Sequence, residues 1–196
     1  ILESEKYTNI TVKNSSISTT AHKIPPTSDY RVKVGTFAND GELSNSNVEN
    51  MSISVTKGSF DSSEDNMLGM HWIGGLKPGG NIKGLNTDIT NSSFDGDITV
   101  STAFEADIGG ITGIYNWSDS DKLDNVHSSG SISGSGNVGG IVGESRDDVI
   151  KNSYSTMDVT GSEKITITTN TGGLVGEISD DGTDIRESYS AGAVSG

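Results

Sequence analysis

The chain has no cysteine, three prolines and 6% aromatic residues, and only 31% of its 196 residues are hydrophobic. Without cysteine there is no disulfide framework, no thiolate metal site and no thiol nucleophile. No apolar run reaches the roughly 18 residues a membrane-spanning helix needs, so membrane insertion is not expected. Basic residues are scarce: 13 Lys and Arg stand against 27 Asp and Glu, a formal net charge of −14. A surface of that sign repels a phosphate backbone and an anionic bilayer, which argues against nucleic acid and membrane as partners. The charge is read instead as the solubility of an extended surface. Leu (7) is sparse beside Ile (19) and Val (13), a bias toward strands because β-branched side chains suit a pleated surface. So little hydrophobicity would mean disorder in an ordinary chain, but a narrow repetitive interior needs few apolar residues per turn.

Repetition is what the chain has in abundance. Gly172-Gly173-Leu174-Val175-Gly176-Glu177 is followed by Ile185-Arg186-Glu187-Ser188-Tyr189-Ser190 and by Ala193-Val194-Ser195-Gly196. The same phrase precedes it as Gly139-Gly140-Ile141-Val142-Gly143-Glu144, then Ile150-Lys151-Asn152-Ser153-Tyr154-Ser155, then Asp158-Val159-Thr160-Gly161. Further copies begin at Gly109-Gly110-Ile111 and at Gly74-Gly75-Leu76, and continue through Leu123 to Ser128 and Ile89 to Phe94. Upstream the glycines fade, yet an aliphatic-x-Asn pair persists at Val48/Asn50 and Val12/Asn14. Six units are therefore marked by Asn14, Asn50, Asn91, Asn125, Asn152 and Glu187. A period of about 30–40 residues is that of a solenoid, propeller or array.

These phrases resemble the GLUG motif, a short Gly-Gly-aliphatic-aliphatic-Gly repeat of bacterial surface and secreted proteins. The resemblance covers residues 73–196 and is most specific at 139–161 and 172–196; at Gly74-Gly75-Leu76-Lys77, Pro78 and Gly79 replace the second aliphatic-glycine step. It implies a β-solenoid within a long exported chain, as in adhesin-like proteins and in the non-catalytic part of IgA1-specific metalloproteases. Ile1 is not an initiator Met, no signal peptide precedes it, and the chain stops at the end of a repeat, so a piece of a longer protein is expected.

The fold expected is all-β: a parallel β-helix of about six coils, each of three short strands. Residues 1–72 are expected to form irregular N-terminal coils or a cap, and 73–196 the regular array. Coils rising by the strand spacing of about 4.8 Å would make a stack roughly 30 Å long. Each unit offers a Gly-Gly-aliphatic strand, an Ile-x-Asn-Ser-Tyr strand and a short Asp-x-Val strand, extended once by Lys164-Ile165-Thr166-Ile167-Thr168. Strict alternation would put Ile150, Asn152 and Tyr154 on one side and Lys151, Ser153 and Ser155 on the other. Acidic loops at 118–122, 145–148 and 179–184 recur at one place in the repeat, so they should leave one edge of the stack. The glycine pairs read as corners; a dinucleotide loop would need a following helix, and none is predicted.

Each polar constellation has a structural and a chemical reading. The asparagines at 14, 50, 91, 125 and 152 either form an amide ladder along the stack or tolerate a turn conformation. His127, Tyr154 and Tyr189 occupy one repeat position and should stack; parity with Ile150 and Ile185 favours packing at an inward or corner position over a carbohydrate platform. Glu144 and Glu177 follow the same glycine in adjacent units, and carboxyls about 5 Å apart are those of a retaining glycosidase. No third group orients them, and repetition alone brings like residues together. His22 and His71 lack partners at metal-ligand spacing, and no His-Glu-x-x-His occurs. Asp180, Asp181 and Asp184 with Gly182, and Asp119, Asp121 and Asp124, are the densest acidic groups, but neither has the spacing of an EF-hand loop. Calcium is their one cofactor candidate. The Asn-x-Ser/Thr sequences at Asn9, Asn14, Asn50, Asn91 and Asn116 read as accidents of an Asn/Ser/Thr-rich chain.

No catalytic, cofactor-binding or metal residue is therefore assigned. The expected function is that of a non-enzymatic, extracellular repeat region of a bacterial surface adhesin or stalk, mediating or presenting attachment to host or neighbouring cells. Its partners would be a host glycan or protein, or adjoining domains of the same chain. The alternatives are an accessory solenoid that positions substrate for a secreted IgA1-specific metalloprotease and, with less support, a polysaccharide-cleaving β-helix enzyme.

Overall fold

The computed structural model describes residues 6–21, 33–37, 41–57, 71–79, 88–101, 105–116, 122–162, 168–179 and 182–196. All strand pairs among them are parallel, and they include no helix. The chain is a β-solenoid with three walls. The first wall stacks Lys6–Thr8, Glu42–Ser44, Ile89–Ser101, Lys122–Gly134, Val149–Lys151 and Asp184–Arg186 in that order. The same wall continues past a bend as Thr11–Ala21 and Asn47–Lys57 below, and as Tyr154–Ser155, Asp158–Gly161, Tyr189–Ser190 and Val194–Ser195 above. The second wall stacks Lys33–Val34, His71–Gly74, Ala106–Gly109, Gly136–Gly139 and Asn170–Gly172, and the third Lys77–Gly79, Thr112–Asn116, Val142–Arg146 and Val175–Ile178.

The register makes columns. Ile89, Leu123, Ile150 and Ile185 lie one above another, as the repeats require, and the column extends down through Leu43 to Tyr7. A second column runs Ile17, Ile53, Ile98, Ile132, Val159, Val194. Leu43, Ile89, Leu123 and Ile150 are at most 1% exposed. Each such side chain contributes about 1.5–3 kcal/mol by leaving water, so one or two per coil suffice and the low hydrophobic content is explained. Both columns cross position 72 unbroken, and the first-wall strands reach 11 to 13 residues, longer than the short strands expected.

Two glycine positions shape the second and third walls. A Cβ on Gly140 would strike the carbonyl oxygen of Gly173, the equivalent glycine of the next coil, so the corner has no room for a side chain. A Cβ on Gly143 would sit 2.5 Å from the Gly113 oxygen and 2.7 Å from the Asp107 carbonyl carbon, because the third wall lies directly against the second there.

The first wall bends at a left-handed residue. Asn9, Asn45, Asn91, Asn125, Asn152 and Glu187 occupy equivalent positions with φ between 48° and 56°. Asn reaches this region more easily than other side-chain-bearing residues, and the shared conformation is what the repeated Asn supplies. The unit markers for the first two coils are therefore Asn9 and Asn45. Asn14 and Asn50, expected in that series, form a separate pair of left-handed residues further along the same strands, with Asn50 Nδ2 donating to Asn14 Oδ1 at 2.8 Å. Amide contact along the main series is partial: Asn125 Nδ2 donates to Asn91 Oδ1 at 2.9 Å, but Asn152 Nδ2 donates to Asp124 instead.

The serine after the bend completes it. The hydroxyls of Ser46, Ser92, Ser153 and Ser188 each donate to the carbonyl two residues back, at 2.7–2.9 Å. Each also accepts a backbone N–H from the coil below, of Ile10, Ser46, Val126 and Ser153 respectively, at 3.1–3.2 Å. The hydroxyl thus gives an acceptor to the one backbone N–H that the kink diverts from the ladder, as buried main chain requires, and adds a second donor to a carbonyl that in three of the four coils also accepts a ladder N–H.

Candidate functional site

The left-handed residue also resets which side chains face inward. After Ile150, the buried residues are Ser153, Ser155, Met157 and Val159, while Tyr154 stands outside. The expected inward aromatic column is thus corrected: alternation holds only along continuous extended backbone, and Asn152 at φ 50° interrupts it. His127, Tyr154 and Tyr189 do stack, on the outer face. Ring centroids are 5.0 Å apart at 4° between His127 and Tyr154, and 5.3 Å apart at 7° between Tyr154 and Tyr189. Partial burial holds the His127 pKa below its ordinary value. Rings stacked on each other along the axis turn edges and hydroxyls outward, and their faces are spent on one another. His127 and Tyr189, at the two ends of this row, each keep one ring face with no ring of the row against it; the residue below His127 is Ser93, and Tyr189 is 56% exposed.

Glu144 and Glu177 are in register on adjacent strands of the third wall. Glu144 is 2% exposed, and its Oε1 takes both Arg146 Nε at 2.7 Å and Nη2 at 2.6 Å. A glycosidase pair needs both carboxyls open to a sugar ring; here one is buried and ion-paired. The arrangement favours the structural reading.

A polar column between the second and third walls was not found from sequence. Asn170 Nδ2 donates to Asn137 Oδ1, and Asn137 Nδ2 donates to Asp107 Oδ1, each at 2.9 Å. Asp107 is fully buried, and its Oδ2 has no hydrogen-bond partner among the described residues. Burial, then the charge of Glu144, push the Asp107 pKa up to about 7, against the opposing hydrogen bond from Asn137. The signal was present as a residue two places before each Gly-Gly pair, but it changes from Trp72 to Asp107 to Asn137 to Asn170 and does not read as one position.

The acidic groups divide. Asp119, Asp121, Asp180 and Asp181 lie outside the described residues, as do His22 and the 164–167 part of the extended strand. Asp184 accepts from Arg186 Nε at 2.7 Å, and Asp124 is 3.1 Å from Lys151 Nζ. Burial raises the Asp124 pKa, but the hydrogen bonds from Asn152 and Lys151 outweigh it and hold the carboxyl below its ordinary range. Among the described residues no three His, Asp or Glu side chains are grouped to hold a metal. His71 is buried on the second wall, and burial lowers its pKa. No helix among the described residues is long and apolar enough to cross a membrane.

No curated protein and no solved structure matches the chain. Residues 134–160 match the family model described as the GLUG motif. They run from the end of the fourth first-wall strand, through the Gly139-Gly140 corner, to the last strand of the fifth coil. One full turn of the solenoid is thus a GLUG repeat, and this motif fits a repeat region of a bacterial surface or secreted protein.

Proposed function

We propose that the chain is an extracellular, non-enzymatic repeat region of a bacterial surface protein, acting as an adhesive or as a stalk that presents adjoining domains. The observation that supports this most is the six-rung first wall, whose columns run from Tyr7 to Ile185 without interruption. Parallel backbone ladders in register resist extension along the stack, and the outer face offers Ser, Thr, Asn and Asp at regular intervals. Its partners are a host glycan or protein, or neighbouring domains of the same chain, and it uses no cofactor. The burial and ion pairing of Glu144 support the non-enzymatic reading.

The test joins three measurements: binding of the chain to glycan and host-protein arrays, release of reducing ends from a polysaccharide panel, and single-molecule unfolding force. Specific binding without release supports the adhesive role. No binding with high unfolding force supports the stalk. Release of reducing ends that Glu144→Gln abolishes refutes the proposal, as does absence of binding together with low mechanical resistance.

A further inference from the structure

Without cysteine, no disulfide ties one coil of this chain to the next. The first wall does, however, set two phenols against each other. Tyr154–Ser155 and Tyr189–Ser190 pair in parallel, Tyr154 opposite Tyr189. That register lays the rings face to face, centroids 5.3 Å apart and 7° from parallel. Asn152 and Glu187 turn the chain left-handed two residues before each ring, so both stand on the outer face. Tyr154 is only half-buried although a coil lies on either side of it. Its outer edge therefore stays open within the stack, and a further coil above Tyr189 would leave that ring's edge open in the same way.

The other tyrosines are placed differently. Tyr115 is 3% exposed in the core, and Tyr7 packs on Phe37 with centroids 6.3 Å apart and the rings tilted by 38°. Tyr30 lies outside the described residues. Below Tyr154 the row continues as His127, which has no phenol.

We propose that Tyr154 and Tyr189 form a modification site at which a one-electron oxidant, a haem peroxidase with hydrogen peroxide, joins them as dityrosine and so staples adjacent coils. Each phenol gives up one electron and its hydroxyl proton, and both hydroxyls face the solvent that receives the proton. The two phenoxyl radicals then bond through ring carbons ortho to the oxygens. Each bonded carbon loses its hydrogen as a proton, its own oxygen takes one up, and both rings are phenols again. Hydrogen peroxide accepts the two electrons and two protons and leaves as two waters. Rings in register bring each ortho carbon beside its counterpart, and side chains on the outer face can tilt into the bond without disturbing the core. A partner held at this distance favours coupling within the chain over coupling between chains. The bond also closes the loop between the two residues, which lowers the entropy of the unfolded chain. This chemistry is the same whether the chain is an adhesive or a stalk.

The test treats the full chain, in dilute solution, with a haem peroxidase and hydrogen peroxide, followed by trypsin digestion and mass spectrometry. Cleavage after Lys151, Lys164 and Arg186 releases peptides 152–164 and 187–196. The expected product is these two joined, lighter than their sum by two hydrogens, from chain that still runs as a monomer on a denaturing gel. Links to peptides carrying Tyr7, Tyr30 or Tyr115 should be about tenfold rarer or less. Tyr154→Phe and Tyr189→Phe keep a ring in the stack and should each abolish the product. Absence of the joined peptide from chain with an unchanged circular dichroism spectrum overturns the proposal, as do equal yields for the other tyrosines. The cross-linked chain should also unfold at a higher urea concentration than Tyr189→Phe treated alike; an equal or lower midpoint overturns the staple.

Discussion

Asp107 carries a pH dependence that a single substitution should remove. Its carboxyl is fully buried, accepts one hydrogen bond from Asn137, and has its pKa raised from 3.8 to about 7, first by burial and then by Glu144. A folded-state pKa above the unfolded value means that the folded chain holds a proton that the unfolded chain has released. Stability from this group is therefore greatest below about pH 4, falls as pH rises toward 7, and is flat beyond. About 3 units at roughly 1.36 kcal/mol each give about 4 kcal/mol as the upper size of the loss. Asp107→Asn keeps the acceptor for Asn137 Nδ2 and carries no charge to desolvate. It should equal the parent near pH 4 and exceed it by roughly 2–4 kcal/mol at pH 8. The assay is urea unfolding followed by circular dichroism from pH 4 to 8, read as the difference between the two proteins. The difference cancels the histidines: lowered pKa values at His71 and His127 cost both proteins stability alike as pH falls through about 6.5. Parallel stability curves for the two proteins across this window would refute the reasoning.

The bend chemistry predicts that Asn125→Ala costs up to about 1–2 kcal/mol, because alanine lacks the short polar side chain that lets asparagine tolerate positive φ, while Asn125→Gly costs less; equal urea midpoints would contradict this. Ser153→Ala strips a hydroxyl from between the Lys151 carbonyl and the Val126 N–H, and should cost about 1–3 kcal/mol in the same assay. Tyr154→Ala should cost only about 1 kcal/mol, the worth of an outer stack, where a core aromatic would cost about 3–5. Leu123→Ala, in the middle of the inner column, should cost about 2–5 kcal/mol and lower the midpoint more than any of these.

The columns were legible because a parallel solenoid puts one residue of each repeat at each rung, so Ile89, Leu123, Ile150 and Ile185 announce their stacking by recurrence alone. The facing of Tyr154 was not, since alternation presumes an unbroken strand and Asn152 adds a left-handed turn between Ile150 and Ser153. The first two coils were misaligned for a related reason. Val12-Lys13-Asn14 and Tyr7-Thr8-Asn9 both end in a left-handed Asn, and only the register tells which one continues upward. Asp107 escaped notice because a buried carboxyl violates the rule of apolar interiors, and its column holds a different residue in the next coil. The outer aromatic row and the ion-paired Glu144 could be listed from sequence, but their exposure depends on a bend and on a wall-to-wall approach that no local pattern encodes.

Spin labels on the outward column test the coil-upon-coil arrangement most directly. With one label at Ser18 and the second at Thr99, Ser133, Thr160 or Ser195 in turn, in dilute samples, the separation should grow by about 5 Å per coil. Distances that fail to rise in that order, or that jump by far more than a strand spacing between successive positions, would contradict the stacked-coil account.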